Sequence, residues 1–206
     1  MSARTEILDR LRSALHDAPE VPEIPRKYRH SSGMNEDELI ELLRDRLLDY
    51  KAGVSVVDEA SVPAKVAELL AGETSYVVPA GLDERWTALA PGRVVDSPEE
   101  PLSVEELDGI DAVVTGCAAA VAETGTIILD GSPGQGRRAC SLVPDHHVCL
   151  VLARDIAGVL PEAVRRLDVT HPLTWISGPS ATSDIELQRV EGVHGPRRLD
   201  VVIIRS

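Results

Sequence analysis

The stretch SYVVPAGLDERWTALAPGRVVDSPEEPLSVEELDGIDAVVTG, residues 75–116, decides the fold. It contains three short apolar runs, SYVVP (75–79), RVVD (93–96) and DAVVTG (111–116), with helical candidates at about 82–89 and 103–108 between them. The runs are rich in β-branched residues and do not alternate cleanly between polar and apolar. Strands of that kind are buried on both faces, and helical crossovers between them make neighbouring strands parallel. The pattern extends outward in both directions. VSVV (54–57) precedes it, followed by a helical candidate at about 61–71. Beyond it lie TIILD (126–130), HVCLVL (147–152), LTWISG (173–178) and LDVVII (199–204), with a helix at about 158–167. The expected fold is α/β: a predominantly parallel sheet flanked by helices, with an N-terminal helical arm.

Residues 1–34 are read as that arm and 35–206 as the α/β domain. Ile7, Leu8, Leu11 and Leu15 fall at helical spacing, so residues 1–17 are expected to be a helix that drapes over the domain or over a partner. The three prolines of APEVPEIPRKYRHSSG cannot continue it. Asn35 and Glu38 then form a capping box that starts a second helix, with Leu39, Leu42, Leu43 and Leu47 as its apolar stripe.

Composition narrows the function. With 43% hydrophobic residues, two Trp, three Tyr and no Phe, the core must be aliphatic. A net charge of −13 repels phosphate backbones and gives no reason to expect nucleic-acid binding. No apolar run approaches the roughly 20 residues of a membrane helix. The N-terminus is too charged for a signal peptide, so a cytoplasmic location without membrane insertion is expected. Cys117, Cys140 and Cys149 are widely spaced and odd in number, and no C-x-x-C occurs. Neither a disulfide framework nor a zinc or iron–sulfur ligand set is implied, and the bland reading makes all three buried residues near strands. Asp145, His146 and His147, with His171 or His194, could be drawn as a metal site. Adjacent histidines on a strand point to opposite faces, which argues against it, and no metal is expected.

Three segments carry candidate chemistry. In AETGTIILD, Glu123 precedes Thr124, Gly125 and Thr126; it either brackets a turn or stands as a nucleophile or base where glycine lets a ligand approach the backbone. In GSPGQGRR (131–138), Gly134 and Gly136 can turn backbone N–H groups towards an anion, and Arg137 and Arg138 add forked donors; the bland reading is a hairpin loop with solvated arginines. The ending of a Walker loop is missing. The third segment, GPSATSDIELQRVEGVHGP, is bounded by two Gly-Pro steps. Ser183 and Glu186 fit a capping box there, while Ser180, Thr182, Asp184, Glu191 and His194 remain for a site beside a helix N-terminus. It follows LTWISG, and open α/β sheets bind ligands beyond the carboxyl ends of their strands. A serine hydrolase reading lacks the nucleophile elbow.

AETGTIILDGSPGQGRRACSLVPDHHVCLV and PLTWISGPSATSDIELQRVEGVHGPRRLDVVII resemble the signature segments of the lactate utilisation (LUD) domain family, closest to its shorter lactate utilisation protein C branch. The resemblance is strong over 111–206 and rests on layout alone before that. It implies a fold similar to the sugar-phosphate isomerase, CoA-transferase and formyltetrahydrofolate cyclo-ligase group. It also implies an accessory, substrate-handling subunit of a bacterial complex that oxidises L-lactate to pyruvate, with iron–sulfur clusters on its partner proteins and no cofactor in this chain. Inferred from the residues themselves and not from the resemblance, the site would hold a small carboxylate ligand with Thr124, Gly125, Thr126, Gly134, Gly136, Arg137, Arg138, Ser180, Thr182, Asp184 and Glu191, and would use Glu123 and His194 catalytically. Two other classes stay open: a stand-alone acyl- or CoA-transferase-like enzyme with Glu123 as covalent nucleophile, and a carboxylate-binding regulatory module.

Overall fold

A computed structural model describes residues 2–16, 22–179, 181–182, 190–191 and 195–205; of 181–182 and 190–191 the backbone alone is described. The main sheet has six strands, all parallel. They are β1 (Gly53–Asp58), β2 (Tyr76–Pro79), β3 (Arg93–Asp96), β4 (Ala112–Thr115), β7 (His146–Leu152) and β12 (Arg198–Arg205), in the order β1-β12-β7-β4-β2-β3. Each expected run of the opening stretch is therefore a strand of this sheet; β2 and β4 are buried on both faces as their composition requires, whereas β3, at the sheet edge, leaves Val95 exposed.

A second sheet accounts for the remaining strands of the domain body. β5 (Ala119–Val121), β6 (Thr126–Leu129), β8 (Ile156–Ala157) and β9 (Thr174–Ile176) run in the order β8-β5-β6-β9, with β6 antiparallel to both neighbours. This corrects one expectation. LTWISG does not extend the parallel sheet, so the rule about its carboxyl ends does not apply to the segment that follows. The remaining pair, β10 (Ala181–Thr182) and β11 (Val190–Glu191), is antiparallel.

The layers follow from side-chain alternation. One face of β7 and β12, carrying Cys149, Val151, Leu199, Val201 and Ile203, packs on α2 (Glu36–Asp49) and the second sheet. The other face, carrying Val148, Leu150, Val202 and Ile204, packs on Val62, Val66 and Leu70 in and beside α3 (Val62–Leu69). α4 (Val104–Asp108) covers β2 and β4 through Leu107, and α5 (Leu160–Val164) covers the outer face of the second sheet through Ala163. Fully burying one such aliphatic side chain stabilises the fold by about 1.5–3 kcal/mol, so these four clusters supply its main driving force.

The capping box at α2 forms as read: Asn35 Oδ1 accepts from the Glu38 N–H at 3.1 Å, and Glu38 accepts from the Asn35 N–H at 2.9 Å. Its buried stripe is Ile40, Leu43 and Leu47, with Leu39 and Leu42 flanking it half-buried. The expected helix at 82–89 is a short 3-10 turn, Glu84–Thr87.

α1 (Ala3–Ala14) exists but buries none of its residues, and Ile7, Leu8, Leu11 and Leu15 stay exposed. The arm after it is tied down instead. Glu162 accepts from the Ser32 N–H at 3.0 Å while holding the Gly158 and Val159 N–H groups at 2.7 and 3.3 Å. Gly158 is needed there, because a Cβ would lie 2.0 Å from the Ser32 hydroxyl. Burial works to raise the Glu162 pKa, but these three backbone donors hold it below the ordinary carboxylate range.

Among the described residues, no helix is long and apolar enough to cross a membrane.

Candidate functional site

The loop 131–138 crosses the carboxyl edge of the parallel sheet. From β2 the chain steps outward to β3, then returns to place β4 on the other side of β2. The loops leaving β2 and β4 therefore diverge, which is the point where doubly wound sheets open a crevice. The glycine loop sits in that gap. Gly134 donates its N–H to Ala80 O at 2.9 Å, and its own carbonyl accepts from the Gly116 N–H at 2.8 Å. Its φ of 82° and its contact with Leu82 explain the glycine. The backbone donor that the sequence assigned to an anion thus serves to seat the loop. Gly136 packs against Pro79 so closely that a Cβ would approach the ring at 2.8 Å.

The two arginines at the end of the loop diverge. Arg137 turns to β3 and grips Asp96 with a fork, Nε at 3.0 Å and Nη2 at 2.8 Å, while also donating to Leu102 O. It is a structural clip between loop and sheet. Arg138 turns the other way, has no ion pair among the described residues, and lines a crevice of about 250 Å³ between the two sheets. Ser141, His147, Thr174, Ser177 and Leu199 line the same crevice, together with Gly178-Pro179 and Gly195-Pro196. These Gly-Pro steps bound the third sequence segment, so Arg138 and the two ends of that segment converge.

The residues inside the segment are another matter. Ser180, Asp184 and His194, with Ser183 and Glu186, lie outside the described residues. Thr182 falls in β10 and Glu191 in β11, where the backbone alone is described.

The A-E-T-G-T turn joins β5 to β6 beside this crevice. Thr126 is bonded to Thr124 at 2.8 Å and to Ser177, a crevice residue, at 2.9 Å. Gly125, with φ 61°, fits tightly against Arg46 of α2. Glu123 is not among the groups lining the crevice; its exposed carboxylate is paired with Arg29 of the arm. A covalent nucleophile would first have to leave that pair.

His147 is the site residue that the sequence reading set aside. Strand alternation sends His146 and His147 to opposite faces of β7, as argued against a shared metal. His147 is 1% exposed, and its Nε2 lies 2.8 Å from Thr115 Oγ1. The Thr115 hydroxyl donates to Cys149 Sγ at 3.9 Å, so it accepts from the His147 Nε2–H. That order places a ring proton on Nε2, while no hydrogen bond of Nδ1 is seen among the described residues. The signal in the sequence was its place beside His146 at the start of a strand, and the strand's neighbours could not be read there. Among the described residues there is no group of three or more His, Cys, Asp or Glu side chains placed to hold a metal.

The comparisons agree with this architecture. The profile of the LUD domain matches residues 34–204. The chain belongs to the LUD domain family. The match starts at residue 34, and α1 lies outside it. "Lactate utilization protein C" of Deinococcus radiodurans is 45% identical over 206 residues, covering 98% of this chain and 95% of that protein. "Lactate utilization protein C" of an Exiguobacterium species is 27% identical over 98% of this chain and 96% of its own. A solved DUF162 family protein from Deinococcus radiodurans matches with a TM-score of 0.71 at 42% identity, covering 83% of this chain and 99% of that one.

Proposed function

We propose that this protein serves lactate utilisation by holding a small 2-hydroxy or 2-oxo acid in the crevice between its two sheets. The observation that carries the reading is the convergence there of Arg138 with Ser141, Thr174, Ser177 and His147. A carboxylate suits a guanidinium fork, and the neighbouring hydroxyls supply orienting hydrogen bonds. The substrate hydroxyl would then lie against His147 Nδ1, an acceptor suited to taking its proton. In this reading the chain acts as the substrate-handling subunit, and the two-electron oxidation to the ketone, with removal of the carbon-bound hydrogen, would fall to an iron–sulfur partner protein. The names borne by the relatives support the pathway, and the convergence supports the ligand class.

Titration calorimetry of the full-length protein with L-lactate and with pyruvate tests this. Arg138→Ala is expected to weaken binding about tenfold or more, the worth of a charge-assisted hydrogen bond to a carboxylate. Glu123→Gln is expected to leave it unchanged. Failure of both acids to bind, or equal affinity in the Arg138 variant, would overturn the reading. The acyl-transferase alternative predicts the reverse, with Glu123→Gln abolishing turnover of an acyl-CoA.

A further inference from the structure

Two of the three cysteines meet behind the end of β4. Thr115, the last residue of β4, is in register with Cys149 on β7. Two residues later Cys117 packs against the same core cluster, and Cys149 Sγ lies 3.8 Å from the carbonyl oxygen of Gly116, the residue directly before it. Their exposure differs in a useful way. Cys149 has no exposed surface, whereas Cys117 is half-buried and lines a crevice of about 380 Å³ at the carboxyl edge of the sheet, with Gly81, Trp86, Gly134 and Asp155. A small solute in that crevice reaches one sulfur directly and finds the second behind it.

We propose that Cys117 and Cys149 are an oxidative modification site, a dithiol that hydrogen peroxide converts to a reversible intrachain disulfide. The two sulfurs differ in acidity: Cys117, His147 and Thr115 lower Cys149 to about 5 against burial, while Cys149 and burial raise Cys117. Cys149 is thereby the group that takes the Cys117 proton when the more exposed sulfur reacts. As the Cys117 proton passes to Cys149, the Cys117 sulfur attacks a peroxide oxygen. The O–O bond breaks, and sulfenic acid and hydroxide form. The Cys149 thiol then attacks the Cys117 sulfur, the S–O bond breaks, and water leaves with the thiol proton. Two electrons pass from the sulfurs to the peroxide.

The third cysteine is a built-in control. Cys140 has no exposed surface, donates to Asp96 Oδ2 at 3.1 Å, and is pushed up to about 12 by burial and by that carboxylate. It should stay reduced.

The test treats the full-length protein with hydrogen peroxide at neutral pH, followed by alkylation under denaturing conditions and peptide mapping. Free thiols are expected to fall from three to one, with a Cys117–Cys149 linked peptide, Cys140 alkylated, and all three recovered with dithiothreitol. Cys140→Ser should give the same linkage. Cys149→Ser should abolish the linkage and slow the oxidation of Cys117, because the sulfur that takes its proton is gone; should that variant not fold, the wild-type and Cys140→Ser maps decide. A Cys117 that proceeds to sulfinic acid while Cys149 remains alkylable, a disulfide joining two chains, or no loss of thiols would each overturn the proposal.

Discussion

Replacing Asp96 by alanine is expected to destabilise the protein by about 3 kcal/mol, more than a hundredfold in the unfolding equilibrium. Asp96 closes β3, and its side chain is 4% exposed. Four donors converge on it: the two arms of the Arg137 fork, the Leu102 N–H at 2.9 Å and the Cys140 thiol at 3.1 Å. Burial works to raise its pKa, yet Arg137, Leu102 and Cys140 together hold it below the ordinary carboxylate range. Alanine would leave the Leu102 N–H without its acceptor and release the glycine loop from β3. Urea denaturation measures the effect. Arg137→Ala should also be costly, because it leaves the buried carboxylate without its counter-charge. The double variant should cost clearly less than the sum, since each single change strands the same partner. Simple additivity would show that the pair does not hold the loop.

At the opposite, amino edge of the sheet, Asp200→Asn is expected to cost about 2 kcal/mol at neutral pH, in the range of hydrogen bonds to charged groups. Asp200 Oδ2 accepts from His146 Nε2 and Arg198 Nε, each at 2.8 Å, while Glu73 faces His146 Nδ1 at 3.0 Å and Arg198 Nη1 at 3.8 Å. Gly53, its cross-strand partner on β1, leaves it room: a Cβ there would lie 2.0 Å from Asp200 Oδ1. Burial opposes ionisation of Asp200, but His146 and Arg198 prevail and lower its pKa. A folded pKa below the unfolded one means that its contribution is fully present above the unfolded carboxylate value, near 4. That contribution is lost as pH falls through the lowered folded value. The stability curves of wild type and Asp200→Asn should therefore lie apart at neutral pH and converge in acid. A constant gap across that window would show that the asparagine acts by misfit and not by lost charge.

The outlines of the fold were legible because they are local. VSVV, SYVVP, RVVD and DAVVTG are short β-branched runs set between helical stretches, and capping at Asn35 depends on residues three apart. The α2 stripe shows the limit of that reading. Leu39 and Leu42 look equivalent to Leu43 in sequence, but the second sheet meets the helix on the side of Ile40, Leu43 and Leu47. The second sheet itself was hidden. β5 and β8 are three- and two-residue strands whose partners are distant in sequence, and nothing in AAV or IA distinguishes them from loop.

The candidate site divides in the same way. By itself the sequence determined that the domain is α/β, that its core is aliphatic, that the glycine loop and the Gly-Pro segment are special, and which family signatures they resemble. These follow from residue type and short spacing. Only the tertiary structure decided that adjacent Arg137 and Arg138 do different work, one clipped to Asp96 and the other lining the crevice. It also decided that Glu123 faces Arg29, and that Thr115 on β4 meets His147 and Cys149 on β7. Which side chains meet depends on strand register and on packing between sheets. Those are set by the sum of many weak burial terms over the whole chain, and no short stretch of sequence contains that sum.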